Sequence, residues 1–155
     1  MKKGAMDYDV LKQVERELIF VLKEEYSFYQ SLYIMLDKQR DLIKYNSDEH
    51  LLELFTEIER NRQRIKKSEE KITTLKSRHP QAFQMAAVMP EVKKIVNSIA
   101  TLVKKNMNLV SECESYVTER YERIKTELGE LKNSEKILQY LREANPSPQF
   151  VDGKQ

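Results

Sequence analysis

Residues 7–45 read DYDVLKQVERELIFVLKEEYSFYQSLYIMLDKQRDLIKY and form the stretch from which the fold is predicted. Its apolar residues recur at alternating steps of three and four, which is the repeat of a helix packed against other helices. This predicted seam comprises Leu11, Val14, Leu18, Val21, Phe28, Leu32, Met35 and Leu42, with Glu25 and Gln39 as its polar members. A second apolar line beside it comprises Leu22, Tyr26, Tyr29, Tyr33 and Leu36. A face this wide needs two neighbouring helices and therefore predicts a bundle.

A second helix is predicted for residues 47–77. Its seven-residue repeat comprises Leu51, Leu54, Ile58, Ile65, Ile72 and Leu75, and polar Asn61 and Ser68 occupy two seam positions. Polar residues in a seam lower stability and can define the register between helices. Ser47 is the predicted N-cap, and Pro80 ends the helix because the residue before a proline is disfavoured in the α region. The short connection around Tyr45 makes the first two helices antiparallel.

A third helix is predicted for residues 90–143, after a short apolar segment at 81–89 that could form one or two helical turns. Pro90 suits its first turn. Its first apolar register comprises Val92, Ile95, Ile99, Leu102, Asn106, Leu109, Cys113 and Tyr116, and a second register, offset by one residue, begins at Val117. Such an offset indicates a stutter, where the apolar stripe moves around the helix. Gly129 is a plausible break, because glycine disfavours a helix by about 1 kcal/mol relative to alanine.

The fold class predicted is all-α: an elongated antiparallel three-helix bundle or coiled-coil hairpin with a long third helix. The chain has 155 residues, 34% of them charged and only 3 glycines, which argues against sandwiches, barrels and glycine-rich phosphate-binding folds. Residues 1–143 are expected to form a single domain. Residues 144–155, with Pro146 and Pro148, are expected to form a flexible tail.

Few residues in the chain suit catalysis or metal binding. His50 and His79 stand at opposite ends of the second helix, roughly 43 Å apart if it is straight, so they cannot share a site. Cys113 lies on an apolar stripe beside Glu112 and Glu114, and neighbouring acids raise the pKa of a thiol, so we expect a buried structural cysteine. We therefore predict that the protein is not an enzyme and that it uses neither a metal nor another cofactor.

The charges do not favour a nucleic-acid partner. Residues 60–67 contain five cations, but these spread around the helix, acidic residues flank them, and no aromatic residue is interleaved for stacking. The five cations are Arg60, Arg62, Arg64, Lys66 and Lys67. A solvated helix face is the favoured interpretation, and an anion-binding patch is the alternative. A cytoplasmic protein without membrane insertion is expected, since no long uncharged apolar stretch occurs and the single cysteine suits a reducing compartment.

The apolar residues of the second register in the third helix form the candidate partner-binding site. We call this set the C-terminal stripe; it comprises Val117, Tyr121, Ile124, Leu128, Leu131, Leu138 and Leu141. The predicted third helix is longer than its neighbours, so the stripe should extend beyond them. An uncovered amphipathic helix usually has a partner. The aromatic and methionine residues elsewhere, such as Tyr26, Tyr29 and Met107, are interpreted first as core and second as an adaptable binding surface.

Two short motifs and the layout of the chain resemble the FlgN family of flagellar export chaperones. The third helix carries Lys105-Asn106-Met107-Asn108-Leu109-Val110, and the tail carries Phe150-Val151-Asp152-Gly153, with Phe150 where that family has tyrosine. The resemblance implies a small cytoplasmic protein that binds the C-terminal helices of hook–filament junction proteins, keeps them unassembled and presents them to the type III export apparatus. It also implies that the C-terminal stripe engages the substrate. The alternative is a structural coiled-coil oligomer or adaptor, and the oligomeric state expected is monomer or homodimer.

Overall fold

The computed structural model of the chain describes residues 8–144. Four helices follow one another: α1 (Tyr8–Lys44), α2 (Leu51–Arg78), α3 (Pro80–Ala87) and α4 (Pro90–Ala144), and no strand occurs in this range. The predicted all-α fold is confirmed, as is the helix that begins at Pro90. Residues 145–155, including Phe150 and the rest of the predicted tail motif, lie outside the described range.

The chain divides into two units, Met1–Glu114 and Ser115–Gln155. In the first unit α1 and α2 are antiparallel, because Glu24 of α1 pairs with Lys71 of α2 whereas Phe28, further along α1, contacts Asn61 earlier in α2. The part of α4 in this unit runs parallel to α1, since its contacts with α1 advance along both helices together. The boundary at residue 114 lies next to the stutter predicted near Val117. The second unit, as far as it is described, is the remainder of α4.

Two clusters of buried apolar residues form the core of the first unit. One joins the N-terminal half of α1 to the end of α2, to α3 and to the start of α4, through Leu11, Val14, Leu18, Leu22, Leu75, Ala82, Ala86, Val92 and Ile99. The other joins the C-terminal half of α1 to α2 and α4 through Leu32, Leu36, Leu54, Ile58, Ile65 and Leu109. Most of the aromatic residues of α1 pack against these clusters, which confirms their interpretation as core. The same interpretation is wrong for Met107, which is 65% exposed.

The buried face of α1 departs from the predicted heptad seam in its second half. Leu36 and Ile43 are buried, whereas Met35 and Leu42, which the heptad placed in the seam, are only partly buried. A helix with 3.6 residues per turn falls behind a 3.5-residue repeat by about 20° per heptad. At about 100° per residue, Leu36 lies only about 20° from the direction of Leu11, and Met35 lies about 120° away. The buried face therefore shifts by one residue along α1.

The connection between α1 and α2 shows why the predicted N-cap at Ser47 is wrong. Asn46 adopts a left-handed conformation with φ of 57°. The amide of Ser47 donates to the carbonyl of Leu42 at 2.8 Å, and the amide of Asn46 donates to that of Ile43 at 3.3 Å. This pair of hydrogen bonds is the Schellman motif that closes a helix C-terminus. Because Ser47 completes the end of α1, α2 begins only at Leu51, with His50 in the N-cap position.

The break suggested at Gly129 is absent from the structure. Helix α4 continues from Pro90 to Ala144 without interruption. A break would remove several backbone hydrogen bonds, whereas glycine costs only about 1 kcal/mol relative to alanine and its neighbours are good helix formers. A β-carbon added at Gly129 would meet nothing within 4 Å, so the position has room for a side chain.

Candidate partner-binding site

The C-terminal stripe is exposed to solvent along its whole length. The exposed fractions of its residues range from 50% for Val117 to 65% for Leu131. From residue 121 to residue 144 every side chain is exposed. Scattered exposed leucines are ordinary on protein surfaces, but a row of large apolar side chains, here interrupted at Glu135, is typical of an interaction site.

Helical geometry explains why these residues share one face. Successive residues turn by about 100°, so steps of three and four return to nearly the same direction. The six stripe residues from Val117 to Leu138 lie within an arc of about 100°, whereas Leu141 lies about 60° beyond Leu138. The unbroken α4 therefore presents six of the residues as one row and Leu141 at the edge of that row.

Two further apolar residues near the end of α4 were missed by the sequence analysis. Ile137 is 60% exposed and Tyr140 is 70% exposed. They are three residues apart, so their side chains are neighbours, and Ile137 is also four residues before Leu141. The three-residue spacing of Ile137 and Tyr140 could have indicated a shared helix face. Neither residue, however, belongs to the seven-residue repeat of the stripe. Together with Leu138 and Leu141 they make the last turns of α4 apolar over a wider arc than the stripe itself.

Two polar side chains lie at seam positions where α2 and α4 pack against α1. Asn61 Nδ2 of α2 donates to the Phe28 carbonyl at 2.6 Å, and Asn106 Nδ2 of α4 donates to the Tyr29 carbonyl at 3.4 Å. Both asparagines are buried, and the Oδ1 atom of each has no hydrogen-bond partner. The two amides thus attach α2 and α4 to adjacent residues of α1. Their position supports the sequence interpretation that the polar seam residues define the helix register.

Glu25 is the charged residue of the α1 seam, and only 6% of its surface is exposed. Burial, and secondarily the negative charge of Glu69, raise the pKa of its carboxyl group from 4.5 to about 7. Burial also raises the pKa of Tyr29, with smaller contributions from Glu25 and Glu69. Removing water disfavours the charged form of an acid, so Glu25 is partly protonated at neutral pH.

Cys113 is buried, as the sequence predicted, with 7% of its surface exposed. Its Sγ atom lies 3.6 Å from Oε1 of Gln39. Burial is the main cause that raises the pKa of the thiol; Arg40 opposes the shift, and Glu112 and Glu114 add to it. A thiol that is both covered and disfavoured as thiolate is a poor nucleophile.

We expect Cys113 to be alkylated slowly in the folded protein. At about pH 8 its reaction with iodoacetamide should be at least tenfold slower than in the denatured chain, because the reactive thiolate is scarce and covered. Mass spectrometry of samples quenched over time would measure both rates. Equal rates in the folded and denatured protein would contradict the buried environment described for this side chain.

His50 and the basic cluster lie on the surface, whereas His79 is half-buried. The His50 side chain is 70% exposed, with Nδ1 3.7 Å from a carboxylate oxygen of Glu53, and His79 lies between α2 and α3. In residues 8–144 no group of three or more potential ligands is arranged to hold a metal ion. All five cations from Arg60 to Lys67 are exposed. Within the same range no helix is long and apolar enough to cross a membrane.

The fold and the site together define a class: a helical bundle that carries an exposed amphipathic helical segment. Comparison of the chain with protein-family models, with curated proteins and with solved structures finds no match. The case for a function therefore depends on the residues of α4 themselves.

Proposed function

We propose that this protein is a FlgN-like cytoplasmic export chaperone of the bacterial flagellum. In this role it binds the C-terminal helices of hook–filament junction proteins and keeps them unassembled before type III export. The observation that carries the proposal is the exposure of the seven apolar residues of the C-terminal stripe. The resemblance to the FlgN family in layout and in the Asn106-Met107-Asn108-Leu109 motif supports the choice of substrate.

The energetics of the stripe suit a helix-binding role. Burying a leucine or isoleucine side chain contributes about 1.5–3 kcal/mol, so pairing with an amphipathic helix would gain several such contributions. An apolar helix face laid against another amphipathic helix is a recurrent recognition mode, with anchors spaced three and four residues apart. A junction-protein helix covered in this way could not pair with other copies of itself.

Replacing Leu128 and Leu131 together by aspartate should abolish the complex. Each substitution removes an apolar contact and places a charge in the interface, so we expect binding at least about 100-fold weaker. Isothermal titration calorimetry with the C-terminal helical segment of a junction protein would measure this. The helix content of the variant, checked by circular dichroism, should remain close to that of the wild type.

Thr126 and Asn133 provide the matched control. Both are exposed on α4, and both lie about 160–180° from the direction of Val117. Their joint replacement by aspartate adds the same charge to the same segment, and we expect it to leave the affinity within about twofold, since surface changes away from a contact have small effects. Normal binding by the Leu128→Asp/Leu131→Asp variant, or weak binding by the control, would overturn the proposal.

A further inference from the structure

The charged residues that border the C-terminal stripe have a regular arrangement. Lys125 follows Ile124 and Lys132 follows Leu131, so the two lysines are seven residues apart and lie on the same border of the apolar row. Both side chains are exposed. Among residues 8–144 no carboxylate lies within ion-pair distance of either amine. In coiled coils, residues at such bordering positions pair with opposite charges on the facing helix and select the partner.

The first unit shows this pairing within the protein itself. Lys23 of α1 lies 3.9 Å from a carboxylate oxygen of Glu91 on α4, and Lys71 of α2 lies 3.6 Å from a carboxylate oxygen of Glu24 on α1. These two lysines beside packed helix faces are each matched by a glutamate on the neighbouring helix. Lys125 and Lys132 have the same placement beside an apolar row, but their glutamates would have to come from another chain.

A second copy of this chain is a poor occupant of the stripe. In a parallel in-register pair, Glu127 of one copy would meet Lys132 of the other, but Arg120 would meet Lys125. Glu135, which falls on the axis of the stripe, and Arg142 would each face their own copy across the seam. In an antiparallel pair centred between Leu128 and Leu131, Lys125 would face the other copy's Lys132. Like charges in facing positions are destabilising and act against the wrong partner.

We propose that the helix that occupies the C-terminal stripe is a different protein segment with acidic side chains opposite Lys125 and Lys132. This inference rests on the proposed function and adds the charge pattern of the substrate helix to it. The apolar row supplies the affinity, and the two lysines supply orientation and register. Amphipathic helices with glutamate or aspartate opposite Lys125 and Lys132 bind, and those with lysine or arginine at these positions are rejected.

The test compares charge reversals in the full-length protein. The variant Lys125→Glu/Lys132→Glu is titrated with the junction-protein segment at about 50 mM and about 500 mM salt. At low salt we expect about tenfold weaker binding than the wild type, with a much smaller difference at high salt because ions screen these pairs. The control Lys104→Glu/Arg123→Glu makes the same change in net charge at two exposed positions of α4 away from the stripe and should bind within about twofold of the wild type.

Two designed peptides identify the partner chemistry directly. Both have the same leucine and isoleucine seam. One has glutamate and the other lysine at the bordering positions that would face Lys125 and Lys132. The wild type should prefer the glutamate peptide by about tenfold, and the Lys125→Glu/Lys132→Glu variant should prefer the lysine peptide. Equal affinity of the wild type for the two peptides would overturn the inference.

The failure of this inference can be told apart from the failure of the proposed function. If the Leu128→Asp/Leu131→Asp variant loses the junction segment but the lysine reversal changes nothing, the chaperone proposal stands and the acidic-helix inference is wrong. If the Leu128→Asp/Leu131→Asp variant binds normally, both are wrong. A dimer in sedimentation velocity that dissociates in that aspartate variant would show that a second copy occupies the stripe and would also overturn the inference.

Discussion

Replacing Glu25 by glutamine is expected to stabilise the folded protein by about 2–3 kcal/mol at about pH 8 and to have almost no effect near pH 4. The reason is the burial of Glu25 in the seam of α1, which raises the pKa of its carboxyl group from 4.5 to about 7. Glutamine has nearly the same shape but carries no charge at any pH, so it avoids the penalty of burying a carboxylate.

The direction of the pH dependence follows from proton binding. Between pH 4.5 and about 7 the folded protein holds a proton on Glu25 that the unfolded chain has released. The contribution of Glu25 to the free energy of unfolding is therefore full below pH 4.5, falls as the pH rises from 4.5 through about 7, and is lost above that. The difference in the free energy of unfolding between the Glu25→Gln variant and the wild type should grow over that interval.

Urea denaturation at a series of pH values would measure this difference. Glu17 provides the control, since it lies on the same helix and is exposed; its replacement by glutamine should change the free energy of unfolding by less than about 0.5 kcal/mol at every pH. A difference between the Glu25→Gln variant and the wild type that does not vary between about pH 4 and about pH 8 would refute the argument.

Replacing Leu36 by alanine is expected to destabilise the protein by about 3 kcal/mol, because removal of a buried leucine side chain loses its transfer free energy and leaves a cavity. Leu36 is 2% exposed and belongs to the core cluster shared by α1, α2 and α4. Ile34, two residues earlier, is 67% exposed, and its replacement by alanine should cost less than about 0.5 kcal/mol. Urea denaturation with an unchanged m-value would measure both.

The same experiment with Met35→Ala tests the register of α1. A strict heptad places Met35 in the seam, whereas the structure leaves it only partly buried. We therefore expect Met35→Ala to lower the free energy of unfolding clearly less than Leu36→Ala does. A larger cost for Met35 than for Leu36 would favour the heptad register and contradict the shift of the buried face by one residue.

Some features of the fold could be predicted from local spacing alone. In α2 the heptad from Leu54 to Leu75 coincides with the buried face, including the polar Asn61 and Ser68, although Ile72 is only partly buried. Over that shorter helix the difference between 3.5 and 3.6 residues per turn accumulates too little to move the face to another residue. Pro90 likewise marks the start of α4 correctly, since proline is favoured in the first turn of a helix.

The start of α2 and the continuity of α4 depend on backbone hydrogen bonds that the apolar spacing does not reveal. The predicted N-terminus of α2 is wrong because the amide of Ser47 donates to the carbonyl of Leu42 and so closes α1. This hydrogen bond depends on the left-handed conformation of Asn46. The continuity of α4 at Gly129 reflects the cooperativity of helix hydrogen bonding rather than the propensity of one residue.

The sequence by itself determined the all-α class, the apolar stripes and the seven residues proposed to bind a partner, because helical periodicity is a local property of the chain. Only the tertiary structure decided which residue of each stripe is buried, since that depends on how helices with 3.6 residues per turn pack against one another. It also decided that Glu25 is buried in the bundle while the C-terminal stripe stays in solvent. Burial is a property of the packed neighbours, and the same apolar spacing is core where neighbouring helices cover it and an exposed face where they do not.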